Sequence, residues 1–236
     1  MKPPRIKTTQ HTANCNACTA REHSLFSDFT PEDFALIDAP IESFQFPAGT
    51  IIYRQGDKVS GVYSLKNGMV KLNRINPDGT QRILRILRPG DVIGLEGSLS
   101  THYENDAIAL TPVYACHIPI DLITHLDKAS PRLHHKLMCK WHDTLKESDT
   151  WFTELTVGVA RVRMARLLLK MRTTPQSNIS VLFSLEDIGS VLGMTIETAS
   201  RTLNAFLKEG LIQRIEGSER HYQIKAELLL KETNTP

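Results

Sequence analysis

The chain has 236 residues, enough for two modest domains, with 41% hydrophobic and 23% charged residues, which excludes fibrous and intrinsically disordered classes. No apolar run approaches the roughly 20 residues of a membrane-spanning helix, and the polar start, Met1-Lys-Pro-Pro-Arg-Ile-Lys7, lacks the apolar centre of a secretory leader, so cytoplasm is the expected compartment and no membrane partner is expected. The net charge of +2 names no partner, but residues 1–30, 31–155 and 156–236 carry +2, −3 and +3, a drift compatible with nucleic acid at the C-terminal end.

Residues 1–29 show no sustained periodicity and read as an arm. They hold Cys15-x-x-Cys18, and in a cytoplasmic chain such a pair points to metal or redox chemistry before a structural disulfide. Thr30-Pro31-Glu32-Asp33 predicts a helix start, with Thr30 as cap and Pro31 at the first helical position; the helix should run to about Ala39. Short β-favouring runs then follow, Thr50–Tyr53, Gly61–Leu65, Met69–Ile75, Gln81–Leu87 and Ala107–Ile118, punctuated by glycines and by the hairpin turn Asn76-Pro-Asp-Gly79. Strands at this spacing predict a closed or double-sheet β architecture.

From Pro131 to Leu155 the period changes. Leu133, Leu137, Trp141, Leu145, Ser148, Phe152 and Leu155 follow one another by 4, 4, 4, 3, 4 and 3 residues, a helical stripe about 37 Å long at 1.5 Å per residue. A helix this long between two domains predicts self-association, with Leu133, Leu137, Trp141, Leu145 and Phe152 as the dimer seam. Val159–Met171 is a further helix, with Val162, Ala165, Leu168 and Leu169 inward and its arginines outward; Val181–Phe183 reads as a short strand.

The last stretch carries the chemistry. Ser184-Leu-Glu-Asp187 caps a short helix to Leu192 that stops at Gly193, and Thr195 caps a second helix to about Glu209. Helix, glycine turn and helix, followed by the hairpin Leu211–Ile215 and Arg220–Ile224, predict a winged helix-turn-helix. Ala199, Leu203, Phe206 and Leu207 form the inward face of the second helix; Thr195, Glu197, Ser200, Arg201, Asn204 and Lys208 remain for DNA, and Arg214 and Arg220 of the wing for phosphates. The residue types suit base reading, since Arg donates twice to guanine, Glu accepts from cytosine and Ser serves either. No Walker or Rossmann glycine loop, His-Glu-x-x-His helix or Gly-x-Ser-x-Gly elbow occurs, which argues against an enzyme.

In this order the elements resemble the CRP/FNR family of bacterial transcription regulators over about Thr30 to Ile224, and most closely at Asp187-Ile-Gly-Ser-Val-Leu-Gly-Met-Thr-Ile-Glu-Thr-Ala-Ser-Arg201, which is similar to the FNR-type motif with its Glu-x-x-Ser-Arg core. The resemblance implies an α+β fold: an arm (1–29), a sensor domain (30–127) that is a double-stranded β-helix, or jelly roll, of the cyclic-nucleotide-binding kind, a dimerisation helix (128–155) and a winged helix-turn-helix (156–236). It also implies a homodimer, a double-stranded inverted-repeat target similar to TTGAT-N4-ATCAA, and contact with RNA polymerase through β-roll loops such as Asn76–Thr80. Where the family's cyclic-AMP receptors carry Gly-Glu and Arg-Ser around the ligand, this chain has Gly94-Leu95 and Asn105-Asp106, which argues against cyclic AMP. Cys15, Cys18 and Cys116 resemble three of the four thiolate ligands of an FNR-type [4Fe-4S] cluster; the fourth position is Ser24, with His23 beside it as the substitute ligand. A thiol switch between Cys116 and an arm cysteine, an arm that has lost its cofactor, and a haem site drawing on nine histidines stay open as alternatives, as does a structural metal-binding adaptor.

Overall fold

The computed structural model of the chain describes residues 11–12, 24–75 and 81–233. They divide into two compact units, Met1–Lys146 and Glu147–Pro236.

The first unit contains β1 (His11–Thr12), β2 (Glu42–Phe46), β3 (Ile51–Tyr53), β4 (Gly61–Asn67), β5 (Val70–Ile75), β6 (Gln81–Leu87), β7 (Val92–Ile93), β8 (Asp106–Ala109) and β9 (Val113–Pro119). They form two antiparallel sheets, in the orders β1-β2-β9-β4-β7 and β3-β8-β5-β6. β5 and β6 pair from Ile75↔Gln81 inward, as a hairpin requires; its turn, residues 76–80, lies outside the described residues. The run expected as one strand over Ala107–Ile118 is two, in different sheets. Pro112 has no N–H for a ladder, and the Thr111 hydroxyl accepts the Met69 N–H at 2.9 Å, so the chain leaves one sheet there and enters the other.

Alternation along β4 and β9 sends side chains to two cores. Tyr63, Leu65, Val113 and Ala115 face the space between the sheets with Phe46, Val70, Leu72 and Ala107. Val62, Cys116 and Ile118 face the other way, toward Leu25, Phe26, Phe29 and the helices α2 (Ile120–Ala129) and α3 (Pro131–Leu155). α2 was not anticipated, although Leu122, Ile123 and Leu126 carry its apolar spacing. Helix α1 (Pro31–Ala35) has the predicted Thr30–Asp33 capping box but ends four residues early. Asp33 also ties it to the start of α3: its carboxylate accepts from Thr30 N at 3.0 Å, Ser130 Oγ at 2.8 Å and Arg132 Nη1 at 3.1 Å.

Two residues of the predicted seam are taken up by their own chain. Leu133 and Leu137, 0% and 4% exposed, are packed into their own β-roll, and Trp141 leans on the same core. The large hydrophobic side chains that α3 leaves to solvent are Met138, Leu145 and Phe152, 49%, 63% and 68% exposed and seven residues apart.

The second unit contains the end of α3, where Trp151 and Leu155 are buried, then α4 (Ala160–Lys170), β10 (Ile179–Val181), α5 (Leu185–Leu192), α6 (Ile196–Lys208), β11 (Ile212–Arg214), β12 (His221–Ile224) and α7 (Ala226–Thr233). β10 pairs with β12 two residues ahead of the strand expected at Val181–Phe183, and Leu182 and Phe183 are buried just beyond it. α7, also unanticipated, buries Leu229.

Truncating Leu133 removes a side chain with no solvent face, so Leu133→Ala should lower the unfolding free energy by about 2–5 kcal/mol. Leu145→Ala should stay within about 0.5 kcal/mol of the parent yet reduce self-association. Denaturant melts with sedimentation analysis of both variants check the contrast.

Candidate nucleic-acid interface

The helix-turn-helix is set by local chemistry. Ser184 Oγ accepts the Asp187 N–H at 3.1 Å to open α5, and Gly193 closes it in the left-handed region at φ +62°. The turn then passes so close over α5 that a Cβ on Gly189 would stand 2.7 Å from the Met194 carbonyl. Thr195 Oγ1 accepts the Thr198 N–H at 3.2 Å and opens α6.

Ala199, Leu203 and Phe206 anchor α6 and are buried, whereas Leu207 is only half-buried. Glu197, Ser200, Arg201, Asn204 and Lys208 fall within about 100° of arc on the other side at 3.6 residues per turn. Ser200 is half-buried and the other four are exposed. Thr195 stands apart from this set, its hydroxyl committed to the cap. Arg201 Nη2 reaches Thr198 Oγ1 at 3.4 Å and Asn204 Nδ2 reaches Ser200 Oγ at 3.5 Å, weak tethers that a base edge can replace. The Glu197 carboxyl is held below its usual range by its own backbone N–H, then by the Thr195 hydroxyl and by the charge of Arg201, so it is an acceptor at neutral pH.

Arg214 and Arg220 are exposed on the wing, Arg214 at the end of β11 opposite Tyr222 and Arg220 in the turn before β12. The hairpin tip carries Gly217 at φ +76° and is braced by Ser218 Oγ 2.7 Å from His221 Nδ1. Contrary to the sequence reading, the arginines of α4 do not simply face outward. Arg163 donates to the carbonyls of Leu192 and Gly193, and Arg161 to Glu209 and Glu232. Positions 161 and 163 lie about 200° apart on a helix, a spacing that already rules out a single outward face for both.

Residues 43–128 match the model of the cyclic nucleotide-binding domain, and residues 162–232 match that of the Crp-like helix-turn-helix domain. The chain is a DNA-binding transcription regulator of the CRP/FNR type. It is 28% identical to the regulatory protein HlyX of Actinobacillus pleuropneumoniae, over 86% of this chain and 88% of that one. It is 25% identical to an anaerobic regulatory protein of Aggregatibacter actinomycetemcomitans, over 95% and 90%. In fold it is similar to FixK2 of Bradyrhizobium japonicum, with a TM-score of 0.72 at 23% identity over 82% of this chain and 98% of that one. The family and these relatives are regulators, not enzymes.

The interior of the β-roll is rich in acceptor oxygens. Leu95 is buried against the helices. Asp106 is buried, and its Oδ1 accepts the Gln55 N–H at 2.7 Å. Glu96 Oε1, Asn105 Oδ1 and Asn73 Oδ1 are buried acceptors with no hydrogen-bond partner, and burial pushes the Glu96 carboxyl upward. Tyr103 stacks on Tyr53 with ring centroids 3.7 Å apart, while its hydroxyl donates to the Gly61 carbonyl at 2.7 Å. Buried acceptors and carboxylates at Glu96, Asn105 and Asp106 disfavour an anion beside them.

Of the expected cluster ligands, Cys15, Cys18 and His23 lie outside the described residues. Cys116 is a free, buried thiol in β9, 3.7 Å from Ser43 Oγ. Ser24, the position the resemblance gives the fourth ligand, has its Oγ accepting the Phe26 N–H at 3.2 Å. Among the described residues no group of three His, Cys, Asp or Glu could hold a metal, and no helix is long and apolar enough to cross a membrane. His117, a haem-ligand candidate, is wedged between Phe44 and Tyr63 with Nε2 3.4 Å from Ser60 Oγ; burial pulls its imidazole down, against smaller upward effects of Glu42 and Ser60.

A ligand at a hundred times its Kd stabilises by about 2.7 kcal/mol, a shift of several degrees. Cyclic AMP at about 1 mM should leave the melting temperature of this protein unchanged in differential scanning fluorimetry; a clear upward shift would show that the β-roll takes up the nucleotide.

Proposed function

We propose that the protein acts as a homodimer that reads an FNR-like inverted repeat, with Glu197, Ser200 and Arg201 on base edges and Asn204, Lys208, Arg214 and Arg220 on the flanking backbone. The observation that carries this is the solvent-facing row on the first turns of a helix whose opposite side is buried. A recognition helix reads from its N-terminal residues, and half-sites one helical turn apart match a two-fold dimer. Self-association uses the row Met138, Leu145 and Phe152, which stays exposed among the described residues. Sensing is allosteric: an event at the arm and β-roll shifts the balance between two dimer geometries by a few kcal/mol.

The sensing group that suits the chain best is an iron–sulfur cluster held by Cys15, Cys18 and Cys116, with His23 as fourth ligand. β1 pairs with β2 at His11↔Ser43, and Ser43 is paired in turn with Cys116. Leu25 and Phe26 pack in the same core as Cys116. Both anchors of the intervening segment therefore lie beside that thiol. Cys15 is three residues from Thr12, a span of at most about 10 Å, and His23 is two from Leu25. When bound, such a cluster supplies a group that oxygen or nitric oxide can degrade; the chain supplies the thiolates and the surrounding apolar cover. The relative named as an anaerobic regulatory protein is in keeping with this reading.

Arg201→Ala should cost about 1–3 kcal/mol on the operator and relax discrimination at its base pair while leaving random-duplex affinity nearly unchanged. Fluorescence anisotropy on matched and mismatched duplexes measures this; undiminished discrimination would remove Arg201 from the base-reading set.

Protein purified without air should be brown, with a broad band near about 400 nm that bleaches in air and with iron and sulfide in equal amounts. Cys116→Ser should abolish both. A Soret band would assign haem instead, and a colourless, iron-free protein with full operator affinity would eliminate both cofactors.

A further inference from the structure

One helix grips the helix-turn-helix at its turn and at the far end of α6. On one side of α4, Arg163 Nη1 donates to the Leu192 carbonyl and, at 3.3 Å, to that of Gly193. Leu192 ends α5 and Gly193 makes the turn, so these carbonyls have no onward partners in the helix. On the other side, Arg161 meets two carboxylates. Its Nη1 and Nη2 pair with both oxygens of Glu209, the former at 2.9 Å, and its Nε and Nη2 pair with Glu232, the latter at 3.0 Å. Its guanidinium also stands 4.9 Å over the Phe206 ring.

Glu209 caps the C-terminal end of α6, where the helix dipole disfavours a carboxylate. Arg161 offsets that charge and holds both carboxyls below their usual range. The side chains of Arg161 and Glu209 are 35% and 46% exposed, so the pair adds little stability in water. Its planar, two-pronged geometry fixes direction instead.

We propose that Arg161 and Arg163 are positioning residues for DNA reading. They hold α5 at its turn and α6 at its far end, so that Glu197, Ser200 and Arg201 meet a base-pair stack as one rigid set. Arg161 does this from a distance: Glu209 is twelve residues beyond Glu197, about 18 Å along the helix. The inference rests on the reading that α6 enters the major groove.

The test compares full-length parent, Arg161→Met, Arg161→Lys, Arg163→Met and the double variant Glu209→Gln/Glu232→Gln on a TTGAT-N4-ATCAA duplex and a random duplex of equal length, across a salt series. Arg161→Met and the double variant should each lower the specific-to-random affinity ratio about tenfold, because bidentate base contacts tolerate little misalignment. Arg163→Met should do likewise. Random-duplex affinity, its salt slope and the melting temperature should stay near the parent values, a pattern that simple destabilisation does not produce. Arg161→Lys keeps the charge but not the planar fork and should recover only part of the ratio.

Arg201→Ala is the control. If it relaxes discrimination while Arg161→Met and the double variant do not, the positioning role is overturned and the groove reading stands. If Arg201→Ala leaves discrimination intact, the groove reading fails and this inference fails with it. A fall in random-duplex affinity and salt slope on Arg161→Met would instead make Arg161 a phosphate contact, again overturning the proposal. Should Arg161→Met not fold, the carboxamide pair decides alone, since it alters neither the arginine nor side-chain volume.

Discussion

The constraint on which the rest depends is that α3 spends one face on its own chain. Leu133 and Leu137 are sealed into the β-roll core and Trp151 and Leu155 into the C-terminal unit. A buried leucine contributes about 1.5–3 kcal/mol by area alone, so these positions cannot be surrendered to a second subunit without unfolding part of the first. Whatever surface the helix offers to others is what remains, and it is narrow. Asp33, Ser130 and Arg132 fix where the helix begins, which in turn fixes which residues fall on each side.

The two ends of the protein use opposite electrostatic logic. The reading head displays arginine, lysine and one ionised glutamate on a scaffold of capped helices, a mixed set suited to base edges more than to bulk phosphate attraction. The β-roll interior holds acceptor oxygens instead. Asn105 Oδ1 and Asp106 are buried there, and the stacked pair Tyr53 and Tyr103 is part of the packed core between the sheets.

Much of this was legible from residues alone, because caps and turns are local chemistry. Thr30, Ser184, Gly193 and Thr195 each announce an element and each performs the expected bond or backbone turn. The polar face of α6 was legible for the same reason, since a strong 3.6-residue period separates it from Ala199, Leu203 and Phe206. What a period cannot say is who covers an apolar face. The stripe on α3 was correctly apolar, yet its first two leucines serve the chain itself, and Met138, the residue that completes the exposed row, was passed over. The same gap hid the α4 arginines: charge suggests solvent, but backbone carbonyls at a helix end and two glutamates distant in sequence were waiting for them. Short elements such as α2 and α7 were missed because their apolar spacing runs for only two turns.

The interval between Met138, Leu145 and Phe152 carries a mechanical consequence. A spacing of seven on a helix of 3.6 residues per turn drifts by about 20° with each repeat. Two copies that kept this row in register would not lie straight; they would wind about each other with a left hand and cross at about 20°.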